Sequence, residues 1–349
     1  MPVLEQSLTL KHFSKSPTSF QEQVNILKRR GLIISDEKAA IEFLSHFGYY
    51  RLEAYALNFQ SDKKLHLFKI GTYFEEIIGL YRFDRELRLL LLDAIESFEI
   101  SFRTSFANYL SCQYNTPFPH LKKELFISKR KNRNFYDDSI KLLKEQYQKS
   151  KEIFIAHFKN TYCEELPPIW MVTELMTLGE LSKWFLCLAN RNDQIAIASK
   201  YGLRHDTFIA FLNILTNIRN FSAHHARLWN RKMSVEIKLK NLPDEIKANI
   251  NETNNLNIYN PLVFLIFCLR KINSSTRIAS KLRRLIGHYN IQIEEMGFPL
   301  NWKDLSFWKI NEEVRLTIQL SKDTFRSYKR KGEDWKFYIQ RDLENFRQD

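Results

Sequence analysis

Arg219, Asn220 and His224 carry the strongest chemical signal in the chain, inside the run Asn217-Ile218-Arg219-Asn220-Phe221-Ser222-Ala223-His224-His225-Ala226-Arg227-Leu228-Trp229-Asn230. An arginine five residues ahead of a histidine supplies a fixed positive charge and a proton-transfer group, a pair suited to metal-independent cleavage of RNA. RNA brings its own nucleophile, because the 2′-hydroxyl can attack the adjacent phosphorus. The protein must remove that proton, protonate the leaving 5′-oxygen and stabilise negative charge on the phosphoryl oxygens. Histidine titrates near neutral pH and serves as base or acid. Arginine stays charged and can hold two phosphate oxygens at once. DNA lacks the 2′-hydroxyl and would be spared.

Spacing by itself discriminates poorly. In a chain with 9 His, about two Arg-to-His matches of this kind arise by chance, and Arg283 to His288 is one of them. The bland alternative makes Arg219 and His224 ordinary polar residues on a packed helix and His225 a helix-end residue. Five residues turn an ideal helix to about 140°, so Arg219 and His224 share a broad side, and Asn220 is the closer neighbour of His224. One copy of the motif is therefore an incomplete site. Two-fold pairing of this helix with its mate would gather two Arg and two His around one cleft.

Positioning such a site falls to helices. Only 9 Gly and 9 Pro punctuate 349 residues, and Tyr73 to Asn115 contains no proline, which predicts an all-α fold. A hydrophobic content of 44% excludes wholesale disorder. The net charge of +13 with 14% aromatic residues favours nucleic acid or an anionic surface as partner over a basic protein; a charge serving solubility alone is the alternative. Cys112, Cys163, Cys187 and Cys268 lack metal-like pairing. Cys187 and Cys268 sit in apolar runs and read as buried free thiols of a reducing cytoplasm. No signal peptide is legible at Met1-Pro2-Val3-Leu4, and the most apolar run, Pro261 to Leu269, is too short to cross a bilayer. No glycine-rich phosphate loop occurs, and neither a cofactor nor a metal is expected.

Three regions follow from the patterning: an N-terminal helical region (1–70), a helical core (71–290) with a polar insertion at about 231–260, and a C-terminal extension (291–349). Thr18 or Ser19 caps a first helix, with Gln21 or Glu22 three residues on, ending at Arg29-Arg30-Gly31; Ser35-Asp36 starts a second through Phe47, broken at Gly48. Leu87, Leu91, Ile95, Phe98, Phe102, Phe106 and Leu110 recur every three or four positions and predict a long core helix. On its other faces Asp84 and Arg88, then Glu99 and Arg103, stand one turn apart. Both read as surface ion pairs; the functional alternative puts Glu96, Glu99 or Arg103 near the active cleft, organising the catalytic groups.

Residues 120–160 are basic and carry Lys129, Arg130, Lys131 and Arg133, a solvated run or a direct RNA contact. Pro167-Pro168 breaks the chain; after it Ile169-Trp170-Met171 and Leu175 to Leu188 read as a buried helix in which Gly179 marks a kink or a close helix approach. Phe208, Phe211, Leu212, Leu215 and Ile218 give the apolar face of a helix spanning Thr207 to Trp229. Ser234 to Asn260 reads as loop, with an Asn-rich stretch from Asn251. A last core helix runs from Pro261 toward Ile286, followed by a packed extension through Met296-Gly297-Phe298-Pro299 and Trp302 to Trp308.

Five blocks occur in a telling order: Tyr49-Tyr50-Arg51-Leu52; Tyr81-Arg82-Phe83-Asp84-Arg85-Glu86-Leu87-Arg88; Ala94-Ile95-Glu96-Ser97-Phe98-Glu99 with Arg103; Ile169-Trp170-Met171; and Arg219 to Trp229. Together they resemble the abortive-infection Abi-like proteins of bacteria, over roughly residues 15–310. That family resembles a branch of the HEPN superfamily, whose RNases use an Arg, the polar residue after it and a His four to six positions beyond. The resemblance implies a HEPN-like helical bundle, homodimer-dependent RNA cleavage without metal, and arrest of phage-infected cells. It makes Arg219, Asn220 and His224 the catalytic positions, with His225 at a second permitted spacing and Arg227, Glu96, Glu99 and Arg103 as accessory residues. RNA is the expected substrate and a small structured noncoding RNA an expected regulator; no membrane partner is expected. Two other classes remain open, a non-catalytic RNA-binding module and an interaction partner of a nucleotidyltransferase in a toxin–antitoxin system.

Overall fold

Few chain breakers and a continuous apolar stripe favour helix wherever one face can be buried. The computed structural model describes residues 14–127, 134–289 and 291–309, and among them it contains thirteen α-helices. The all-α expectation holds. The only sheet among the described residues is a two-stranded antiparallel hairpin of β1 (Gln60–Asp62) and β2 (Leu67–Phe68).

Helix α1 (Phe20–Arg29) starts where the Ser19 hydroxyl accepts the Glu22 amide at 3.2 Å. Helix α2 (Glu37–Phe47) starts at Asp36, whose carboxylate accepts the Ala39 amide at 3.0 Å. Each side chain satisfies a donor that the first helical turn leaves open. Gly48, at φ 76°, turns the chain directly into α3 (Tyr49–Ala56), a reversal that a residue with a Cβ makes only under strain.

Helix α4 (Phe74–Gln113) has 40 residues and is roughly 60 Å long. All seven positions of the predicted stripe are buried, Leu87, Leu91 and Phe98 at 0% exposure. Beyond it come α5 (Phe135–Lys149), α6 (Ile153–Thr161), α7 (Ile169–Leu175), α8 (Leu178–Leu186), α9 (Arg191–Ser199), α10 (His205–Ala223), α11 (Asp244–Lys247), α12 (Tyr259–Ile272) and α13 (Ile278–Tyr289). Helices α3, α7, α8, α9, α10, α12 and α13 all pack on α4, so one helix is the spine of the core. No helix among the described residues is long and apolar enough to cross a membrane.

Three expectations need correction. The helix expected over Leu175–Leu188 is split, because Met176 is extended and Thr177 opens α8 with a capping box to Glu180. Gly179 marks a close approach, since a Cβ there would lie 3.1 Å from Thr216 of α10. The run from Pro261 toward Ile286 is likewise two helices, parted by the turn at Asn273, whose side chain accepts from Ser275. The helix expected to reach Trp229 stops at Ala223.

The polar stretch 234–260 is loop up to α12 apart from the short α11, as expected, and it is packed. Ile237, Leu242 and Ile246 enter the core, and Asn249 and Asn260 are fully buried. Asn260 exchanges hydrogen bonds with Asn251, at 2.8 Å in each direction, and Asn249 donates to Ser306 and accepts from the Phe307 amide. The asparagines stand in for backbone partners where no helix forms. They dock the packed extension, in which Met296, Phe298, Trp302, Phe307 and Trp308 are buried as expected. Residues 311–349 of the extension lie outside the described residues.

Candidate active site

Helix α10 carries Arg219 in its last two turns and ends in a motif built from main-chain bonds. The Ala226 amide donates to the Phe221 carbonyl at 2.8 Å and the His225 amide to the Ser222 carbonyl at 3.2 Å, with His225 at φ 57°. This is a Schellman termination, whose left-handed position is usually glycine. His224 is the last residue to keep near-helical backbone (φ −89°, ψ 13°), and its amide still bonds the Asn220 carbonyl at 2.9 Å. Arg219, Asn220 and His224 therefore keep nearly their helical relationship, while His225 departs from it. Asn220, His224 and His225 are exposed and Arg219 is half-buried.

The chain after the motif is anchored from beneath. Asp84, at 0% exposure, accepts the backbone amides of Leu228 at 3.1 Å and Trp229 at 2.6 Å, the Tyr55 hydroxyl at 2.7 Å, and the Arg88 guanidinium. Arg88 in turn donates to the Tyr55 hydroxyl at 3.2 Å and the Ala226 carbonyl at 3.5 Å. Burial pushes the Asp84 carboxyl up, and Arg88, Tyr55 and the two amides oppose that push. Burial first, then the Asp84 charge, raises the Tyr55 phenol well above its ordinary range, so it remains a donor. From α3, Arg51 donates to the His225 carbonyl at 2.8 Å, and Arg227 reaches back to the Ala54 carbonyl at 2.6 Å.

These contacts explain why three of the sequence blocks travel together: 49–52, 81–88 and 219–229 meet around the segment that carries the histidines. They also correct one reading: Asp84 and Arg88 form the expected pair but are buried. The legible signal was position. Asp84 lies three residues before Leu87, and Arg88 lies three before Leu91 and four after Asp84, positions beside the apolar stripe where a charge must be buried with its partners.

On the open side of α4 lies a cleft of about 610 Å³ lined by Leu92, Asp93, Ile95, Glu96, Glu99, Ile100 and Arg103, with Glu174 of α7 and Arg219 of α10. Arg103 is engaged through both terminal nitrogens, donating to Glu99, to the Glu174 carboxylate at 3.1 Å and to the Met176 carbonyl at 2.7 Å, while its buried Nε has no partner among the described residues. It ties α4 to the end of α7, so this pair too is more than a surface contact. Asp93 stands 3.4 Å from Lys281. The Arg219 side chain makes no hydrogen bond or ion pair with any described residue. Arg283, which shares its spacing to a histidine, differs completely: it donates to the Lys303 and Trp308 carbonyls at 2.9 and 2.8 Å.

The cleft thus gathers Arg219, Glu96, Glu99 and Arg103, whereas Asn220, His224 and His225 stand outside its lining, at the exposed end of α10. Lys129, Arg130, Lys131 and Arg133 lie outside the described residues. Arg51 and Tyr55 are the supports that spacing did not single out; Asp84 and Arg88 were paired by spacing, but as a surface contact.

No curated protein and no solved structure gives a match. The profile of the Abi-like protein family matches residues 42–230, a span narrower than the one the sequence blocks suggested and one that contains α4, the Asp84 anchor and the whole Arg219–Trp229 segment. On that match, which covers more than half of the 349 residues, the chain belongs to the Abi-like protein family.

Proposed function

We propose that this Abi-like protein is a metal-independent endoribonuclease of the HEPN type, a toxin that acts in abortive infection. The observation that carries the reading is the disposition of Arg219: a guanidinium with no hydrogen-bond or ion-pair partner among the described residues, on the wall of an open cleft, less than two helical turns before an exposed His224. An arginine left free in a fold that engages Arg51, Arg88, Arg103, Arg227 and Arg283 is available to an external anion. Phosphate is the anion that suits its fork.

In this reading the 2′-hydroxyl of the substrate attacks the adjacent phosphorus, and one His224 takes its proton. The bond to the 5′-oxygen breaks, and a second His224 returns a proton to the leaving alkoxide. Arg219 neutralises the charge on the phosphoryl oxygens throughout. Asn220, one turn before His224, orients the histidine or the phosphate. The products are a 2′,3′-cyclic phosphate and a 5′-hydroxyl. Two histidines require two copies of the motif, hence a homodimer. Leu89 and Ile100, 51% and 55% exposed on the open side of α4, support an unfinished surface there.

The test is cleavage of RNA by the full chain and by His224→Ala, with growth arrest on expression as the cellular readout. Loss of about 10²- to 10⁴-fold in rate is expected; undiminished cleavage and toxicity remove His224 from the mechanism. The absence of His224 from the cleft lining favours, as a second reading, a non-catalytic RNA-binding or interaction module of a toxin–antitoxin system. Salt-sensitive RNA binding that survives His224→Ala with no strand cut would select it.

A further inference from the structure

We propose that the cleft on α4 is a base-reading pocket selective for guanine, with Glu96 as the specificity-determining residue beside Arg219. The substrate class, RNA, rests on the ribonuclease reading; the base selectivity rests on the cleft.

Of the charged groups that line the cleft, most are already answered by the protein. Glu99 and Glu174 both bond Arg103, and Asp93 faces Lys281. Two are not: Glu96 is exposed and Arg219 half-buried, and neither side chain has a hydrogen bond or ion pair among the described residues. A cavity of about 610 Å³ is of the size that holds a small organic ligand, and Leu92, Ile95 and Ile100 give it apolar wall. The occupant that answers all of this has a flat apolar body, an anionic group for Arg219 and hydrogen-bond donors for a carboxylate. A nucleotide has that composition.

The carboxylate selects among bases. It accepts two hydrogen bonds side by side and offers no donor. Guanine presents N1–H and N2–H₂ as adjacent donors on one edge, matching both oxygens of Glu96. Cytosine and adenine each present one amino donor next to a ring-nitrogen acceptor, which faces the second oxygen unfavourably. Uracil places its N3–H between two carbonyls, and both repel the carboxylate. A bidentate side-chain–base pair of this kind discriminates by about 1–3 kcal/mol, so about tenfold or more in affinity separates guanine from uracil. Because Glu96 is a solvent-facing position on α4, its substitution leaves the fold intact, unlike that of Glu99 or Arg103.

The experiment is calorimetric titration of the full chain with guanosine, adenosine, cytidine and uridine 3′-monophosphates, alongside cleavage of RNA oligonucleotides that differ in a single base. Guanosine 3′-monophosphate is expected to bind about tenfold tighter than the uridine compound. Glu96→Gln, confirmed folded by circular dichroism, is expected to erase that preference, because the amide offers one donor in place of an acceptor. Arg219→Ala should weaken all four nucleotides alike. Equal affinity for the four bases, no binding of any, or a guanine preference that survives Glu96→Gln overturns the proposal. Guanine-selective binding that needs Glu96, without strand cleavage, keeps this pocket and rejects the ribonuclease reading. Cleavage without base preference does the reverse.

Discussion

The carboxylate of Asp84 accepts the backbone amide of Trp229 at 2.6 Å. A residue near the start of the longest helix thereby fixes the chain just past the candidate histidines. Removing the carboxylate leaves Arg88, 4% exposed, and two backbone amides without their acceptor. Asp84→Ala is expected to cost about 3–5 kcal/mol of stability, the range found when one partner of a buried ion pair is lost. Urea denaturation checks it, and Asp84→Leu/Arg88→Leu should recover part of the loss; a cost below about 1 kcal/mol would sink the anchoring role.

Arg219 and Arg283 stand at the same interval from a histidine and should behave oppositely. Arg219→Ala removes no side-chain hydrogen bond or ion pair with any described residue, so stability stays within about 0.5 kcal/mol while RNA cleavage is lost. Arg283→Ala leaves the Lys303 and Trp308 carbonyls unanswered and costs about 1–3 kcal/mol. Thermal melts paired with a cleavage assay separate the two, and equal destabilisation by both substitutions would contradict the assignment.

His225 occupies the left-handed position of the helix termination at φ 57°. His225→Gly relieves that backbone, and the lower conformational entropy of the ordered glycine offsets part of the gain, so stability is expected to be unchanged or to rise by up to about 1 kcal/mol. His225→Val, branched at Cβ, should destabilise by more than about 1 kcal/mol. Equal melting temperatures for the two variants would argue against the strained turn.

His120 is 1% exposed, neither ring nitrogen has a hydrogen-bond partner among the described residues, and burial pushes its pKa down to about 4 from 6.5. A depressed folded-state value means that the unfolded chain binds the proton first. The stability is fully present above about pH 6.5, falls as pH drops, and levels off below about 4, with about 3 kcal/mol lost in all. His120→Leu should flatten the pH dependence of the urea midpoint within that window; an unchanged slope would show that His120 does not govern it.

Much of the molecule was legible in particular residues. The stripe from Leu87 to Leu110 announced α4, Ser19 and Asp36 announced the starts of α1 and α2, and Gly31 and Gly48 their ends, because helix period and capping are local properties of the chain. Three boundaries were not. The breaks at Met176–Thr177 and Asn273, and the stop at Ala223, occur in runs whose apolar pattern continues across them. What ends those helices is a competing hydrogen bond, from a cap or a turn, and a hydrophobic pattern does not encode it.

The sequence alone determined the helical class and the spine helix, and it named Arg219, Asn220 and His224 as candidates within a family-specific order of blocks. Only the tertiary structure decided which charges are free. Asp84, Glu99 and Arg219 are alike as letters; Asp84 is buried under a loop 145 residues away in sequence, Glu99 is held by Arg103, and Arg219 is left open to the cleft. Partnering is non-local, since a buried charge is stable only where distant segments deliver its counter-groups. Spacing therefore names the candidates for chemistry, and packing chooses among them.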